Sequence, residues 1–90
     1  MKVRQVFYEG RVQGVGFRWS ARKAAQSYEV CGMVKNLPDG RVELQVSGDR
    51  DEVDAFLREI RESALAGHIT AEHTREIEVT TPFRGFQIVP

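Results

Sequence analysis

Within 90 residues the hydrophobic period switches from strand-like to helix-like and back, twice, and that alternation leaves few arrangements open. Val6 and Tyr8 alternate within Val3 to Glu9 with Phe7 on the other side, which predicts a strand without saying which face is buried. Beyond a glycine-rich stretch, Phe17, Ala21, Ala24, Ala25 and Tyr28 recur at helical spacing, while Arg18, Arg22, Lys23 and Gln26 fall largely on other faces. Val30 to Asn36 reads as a strand, Pro38-Asp39-Gly40 is a turn signal, and Val42, Leu44 and Val46 alternate with Arg41, Glu43 and Gln45, the pattern of a hairpin. Asp49 and Glu52 have capping-box spacing ahead of an apolar stripe of Val53, Phe56, Leu57, Ile60 and Ala64. Acids early in that helix and Arg58 and Arg61 later suit its dipole, and Gly67 is expected to close the segment. Roughly Ala71 to Thr80 and Gly85 to Val89 supply two further extended segments, separated by Pro82.

Two helices are too few to cover both faces of a sheet, so they are expected to pack on one. The expectation is one domain over residues 1–90, a ferredoxin-like α+β sandwich of order βαββαβ plus a short C-terminal strand. Its sheet should be rich in antiparallel pairs.

Thirteen Lys and Arg balance thirteen Asp and Glu, so no global positive field is available to gather nucleic acid, and any anion site must be local. No Lys/Arg-Gly-Phe-Gly-Phe string of an RNA-binding sheet is present either. The lone Cys31 excludes an internal disulfide, and His68 and His73 make no zinc spacing with it. Cys31 is expected to be a small buried apolar residue rather than a nucleophile. Met1-Lys2-Val3-Arg4-Gln5 runs straight into alternating residues with no signal-peptide core or membrane span, which points to the cytoplasm.

The stretch with most chemical content is Gly10-Arg11-Val12-Gln13-Gly14-Val15-Gly16-Phe17-Arg18, between the first strand and the first helix. Glycines let a backbone approach a ligand closely, and N–H groups at a helix start can converge on an anion. No Gly-Lys-Ser/Thr follows, and Trp19 stands where a dinucleotide fingerprint would need its third glycine. The loop by itself reads equally well as a phosphate cradle or as a tight bend. Arg18 sits at a helix start, where a cation without an acidic partner is unfavourable, which speaks for a function. Asn36, ahead of Leu37-Pro38-Asp39-Gly40, reads on local grounds as a turn residue. Arg11 reads as a solvated loop residue, and Trp19 as a residue that either packs or lines the site, with packing the preferred reading.

The Gly10–Arg18 string resembles the signature of acylphosphatases, and Gly32-Met33-Val34-Lys35-Asn36 followed by Asp39-Gly40 is similar to that family's second motif, at the family's separation. The resemblance extends over nearly the whole chain. It implies a ferredoxin-like, metal-independent and cofactor-free enzyme acting on small-molecule acylphosphates, with inorganic phosphate as product and competitor, no nucleic-acid or membrane partner, and a monomeric state. It also implies site roles: backbone N–H groups of Val12, Gln13, Gly14, Val15, Gly16 and Phe17 through Arg18 line a phosphate cradle. The Arg18 guanidinium binds phosphoryl oxygens, and the Asn36 amide orients the attacking water. Gly16 stands where some members carry Cys, Met33 where many have Trp, and Val89-Pro90 replaces the usual basic or aromatic terminus.

Overall fold

The computed structural model describes residues 1–90 and contains the expected elements in order. Strand β1 (Lys2–Gly10) leads to helix α1 (Phe17–Ala25), the hairpin β2 (Val30–Asn36) and β3 (Val42–Gly48), helix α2 (Arg50–Glu62), a short 3₁₀ turn (Ala64–His68), and strands β4 (Ile69–Glu78) and β5 (Phe86–Val89). The sheet order is β4-β1-β3-β2-β5. β1 lies antiparallel to both β3 and β4, β2 is antiparallel to β3, and only β2 and β5 run parallel. Each strand–helix–strand unit is therefore split: β3 lies between β1 and β2, and β1 lies between β3 and β4. This is the ferredoxin-like sandwich.

The register settles which face of β1 is buried. Val6 pairs with Leu44 and Tyr8 with Val42, so both join the hydrophobic row of β3 on the helix side. Phe17, Ala21 and Ala25 of α1 and Val53, Phe56, Leu57 and Ile60 of α2 close over that row. Tyr8 tilts against Phe17 with ring centroids 4.8 Å apart, and Phe56 meets Phe86 edge-on at 5.4 Å. Full burial of one such side chain contributes roughly 1.5–3 kcal/mol, so this interlock accounts for much of the driving force.

Several local expectations give way to tertiary structure. Tyr28 lies beyond α1, in a run of i→i+3 turns whose N–H groups at Gln26, Ser27 and Tyr28 bond Lys23, Ala24 and Ala25. The capping box does not form: Asp49 makes no side-chain cap bond, and Glu52 instead accepts the Glu29 backbone N–H at 2.7 Å. A contact across the fold has taken the carboxylate that the local motif would have used. Helix α2 stops at Glu62, with Ser63 extended and its hydroxyl donating to the Ile60 carbonyl at 2.7 Å. Ala64 is consequently exposed, Leu65 fills the core in its place, and Gly67 falls inside the 3₁₀ turn. Cys31 is free and only half-buried.

The face of the sheet opposite the helices carries a polar network in place of a second layer. Gln5 and Glu43, both nearly buried, join through Gln5 Nε2 to Glu43 Oε2 at 2.6 Å, Gln45 Nε2 reaches the same oxygen at 2.9 Å, and Arg75 Nε donates to Gln5 Oε1 at 2.7 Å. Burial alone would push the Glu43 carboxyl up, but hydrogen bonds from Gln45 and Gln5 and the Lys35 ammonium together hold it below its ordinary value. Native Glu43 thus binds its proton less readily than in the unfolded chain. Its contribution to stability is complete above the unfolded carboxylate range of about 4.3 and is lost as pH falls through it toward the native value. Urea denaturation at about pH 7 and about pH 3 should show the parent losing more stability on acidification than Glu43→Gln. Equal losses would mean that the network does not favour the ionised carboxylate.

Candidate active site

The loop between β1 and α1 is pinned at both ends and in the middle. The Arg11 N–H bonds the His68 carbonyl at 2.9 Å, Val12 is 1% exposed within the core, and Phe17 is held against Tyr8. Between these anchors the Gln13 side chain crosses to the hairpin turn, where its Nε2 donates to the carbonyls of Leu37 at 2.8 Å and Arg41 at 2.9 Å. One amide thereby fixes the β1–α1 loop to the β2–β3 loop and sets Asn36, the last residue of β2, beside the glycines.

Gly14 and Gly16 have φ of 77° and 80°, the left-handed region that other residues enter only at a cost. A Cβ at either would meet nothing within 4 Å, so the requirement for glycine is conformational rather than steric. Gly16 is also the N-cap of α1, which starts without a side-chain cap and without an acid in its first turn. None of the backbone N–H groups of Val12, Gln13, Gly14, Val15 and Gly16 donates to a protein acceptor. The result is a concentration of unused donors at the positive end of a helix dipole.

Arg18 adds a full positive charge to that end. Half-buried, it makes no ion pair or hydrogen bond with any protein group, so the acidic partner a structural arginine would need is missing. The Asn36 Oδ1 is enclosed and accepts no hydrogen bond either. The adjacent turn is held instead by the Leu37 N–H to the Arg41 carbonyl, the Gly40 N–H to the Leu37 carbonyl, and the Arg41 N–H to Asp39 Oδ1. Asn36 is not a turn residue.

Arg18 and Asn36 line one pocket of about 190 Å³, together with Val12, Gly14, Gly16, Phe17, Trp19 and Ile88. Of the expected site residues, only Gln13 and Val15 do not line it: the Gln13 side chain is the clamp, and Val15 packs at the edge of the core. Pockets that hold drug-sized ligands run to about 300–1,000 Å³, so this one suits a small anion. Ile88 was invisible in the sequence because it arrives through the parallel pairing of β5 with β2, opposite Val34. Trp19, expected to pack, is 60% exposed on the rim. No group of three or more His, Cys, Asp or Glu side chains is placed so that it could hold a metal ion. No helix is long and apolar enough to cross a membrane.

A family model for acylphosphatases matches residues 4–88. The chain belongs to the acylphosphatase family. An acylphosphatase of Methylococcus capsulatus is 43% identical over 89 residues, covering 99% of this chain and 97% of the relative. The crystal structure of acylphosphatase from Bacillus subtilis superposes with a TM-score of 0.88 at 30% identity, covering 100% of both chains. HypF of T. kodakarensis carries the same fold with a TM-score of 0.88 and 28% identity, this chain matching 12% of its length.

The Gln13 clamp makes a prediction. Gln13→Ala removes both bonds to the hairpin and should destabilise the fold by only about 1–2 kcal/mol, since water can reach the released carbonyls. Phosphate affinity should fall severalfold, because the loop loses its position relative to Asn36. Fluorescence of Trp19, the only tryptophan and one that lines the pocket, is the readout for phosphate binding, and urea denaturation is the readout for stability. Unchanged phosphate affinity would show that the clamp does not position the loop.

Proposed function

We propose that this pocket is the catalytic centre of the chain, which as an acylphosphatase hydrolyses the carboxyl–phosphate bond, and that the reaction requires no metal ion. In the balanced reaction an acyl phosphate dianion and water give a carboxylate and dihydrogen phosphate. A water oxygen bonds to phosphorus, the bridging P–O bond breaks, its electron pair leaves with the carboxylate, and both water protons end on phosphate.

The observation that carries this reading is the convergence of an unpaired arginine and a partnerless amide on one small pocket, beneath a loop with unused N–H groups. Those N–H groups and the Arg18 fork hold the phosphoryl oxygens, and the fork can make two parallel charge-assisted bonds. Phosphoryl transfer with so good a leaving group depends on positioning and charge stabilisation more than on covalent chemistry. Asn36 can accept a hydrogen bond from water through Oδ1 and donate one through its NH₂, so it aligns the nucleophile without repelling a dianion as a carboxylate would. The pocket lining has no His, Cys, Asp or Glu to hold a divalent cation, which supports a metal-free scheme.

Hydrolysis of benzoyl phosphate should therefore persist in excess EDTA, with inorganic phosphate as a competitive inhibitor. Activity that disappears in EDTA and returns with magnesium would overturn the metal-free mechanism. Arg18→Ala should lose both phosphate affinity and turnover, by roughly 3 kcal/mol or more in transition-state stabilisation. Asn36→Ala should bind phosphate almost as the parent does while its kcat falls by orders of magnitude, the behaviour of a group that matters chiefly in the transition state. Parallel measurement of the phosphate inhibition constant and kcat separates the two roles, and normal turnover by Asn36→Ala would remove Asn36 from the mechanism.

A further inference from the structure

The pocket grips phosphate, and where the acyl group goes is a separate question. A groove of about 430 Å³ runs between α1 and the end of α2, and Trp19 lines both this groove and the phosphate pocket. Any substituent leaving the pocket on that side must pass over the indole. At 60% exposure Trp19 is one of only two strongly exposed large hydrophobic side chains, the other being the terminal Met1. Leaving that much aromatic surface in water has no structural benefit here, because the core beneath is already closed by Phe17, Ala21 and Ala25.

The charges around the indole are equally one-sided. The Lys23 ammonium lies 5.0 Å from the centre of the Trp19 ring, within cation–π range, and lines the groove. Arg22 stands beside it on the neighbouring surface with Trp19. Neither cation makes an ion pair, and α1 contains no acidic residue. The one carboxylate in the groove, Glu59, already accepts the Tyr28 hydroxyl at 2.7 Å. The floor farther along is apolar, from Ala24, Ile60 and Leu65.

We propose that Trp19 and Lys23 form an acyl subsite, which selects acyl phosphates whose acyl group has an apolar or aromatic body and an anionic far end. The inference rests on the phosphate-pocket reading and gives that same site a substrate class. The indole supplies a flat surface for the body of the acyl group. Lys23, whose ammonium lies 5.0 Å from the ring centre, receives the distal carboxylate. Selectivity then arises at the edge of the phosphate pocket, from Trp19, which lines both pocket and groove, and from Lys23, which lines the groove alone.

The test is a substrate series of acetyl, benzoyl and succinyl phosphate, assayed with the parent, Trp19→Ala, Trp19→Phe and Lys23→Met. Ratios of kcat/KM to the acetyl value cancel any common effect on the phosphate pocket. In the parent, benzoyl and succinyl phosphate should both exceed acetyl phosphate. Trp19→Ala should lower the benzoyl-to-acetyl ratio about tenfold, chiefly through KM, and Trp19→Phe should restore most of it. Lys23→Met should lower the succinyl-to-acetyl ratio severalfold and leave the benzoyl-to-acetyl ratio near the parent's. Ratios that stay at the parent's values in Trp19→Ala and Lys23→Met would overturn the subsite while acetyl phosphate hydrolysis still upheld the phosphate pocket. A parent that hydrolyses none of the three would overturn both.

Discussion

The insertion of β1 between β3 and β4 is the constraint on which the site depends. It places Val6 and Tyr8 in the row formed by Val42, Leu44 and Val46, and that row is what α1 must cover. Once Phe17 is locked against Tyr8, the chain has only residues 11–16 to leave the end of β1 and begin the helix. So short a connection has to turn sharply, and left-handed glycines at positions 14 and 16 provide the turn. Core packing therefore dictates the loop, and the loop leaves its N–H groups without protein acceptors beside the pocket.

Neither of the two long-range contacts that complete the site belongs to a regular element. The Gln13 amide spans to the carbonyls of Leu37 and Arg41, and the Arg11 N–H spans to His68. A side-chain bond to a turn contributes little to global stability, yet it fixes the separation between two loops to within a hydrogen bond's tolerance. Catalysis by positioning requires that tolerance, since an ångström of misplacement can cost about a hundredfold in rate.

The sequence made the architecture legible because its periods are unambiguous where burial is one-sided. The alternation of Val42, Leu44 and Val46 and the stripe Val53, Phe56, Leu57 and Ile60 are both buried as their spacing implies. Features that failed were those in which a local motif competes with a distant partner. Glu52 fits a capping box but serves the Glu29 N–H, and Ala64 fits the helical stripe but lies past an end set by Ser63. In the site, glycine spacing could suggest a loop but not choose between cradle and bend. The resemblance to acylphosphatases favoured the cradle, and the unpaired state of Arg18 and Asn36, which supports that proposal, is a property of what lies around them in space. Trp19, beside the loop, had two readings, packing and lining the site; the helix phase turns it outward, and it lines the pocket rather than packing.

Charge placement also ties binding to folding. Arg18 stands at the positive end of α1, near unused N–H groups and with no anion from the protein to balance them, so the free protein bears a local electrostatic cost. A chain with equal numbers of acids and bases could have placed a carboxylate in the first turn, as α2 does with Asp51 and Glu52. It does not, and under the proposed function a carboxylate there would occupy the donors intended for the phosphoryl group. The core of β1, β3 and the two helices has to carry that cost, which a dianion bound as proposed would remove. Any ligand that binds only the folded state adds to stability in proportion to the logarithm of its saturation ratio. On the proposed function, the same uncompensated charge that weakens the empty fold becomes the free-energy difference by which the site would prefer a dianion to water.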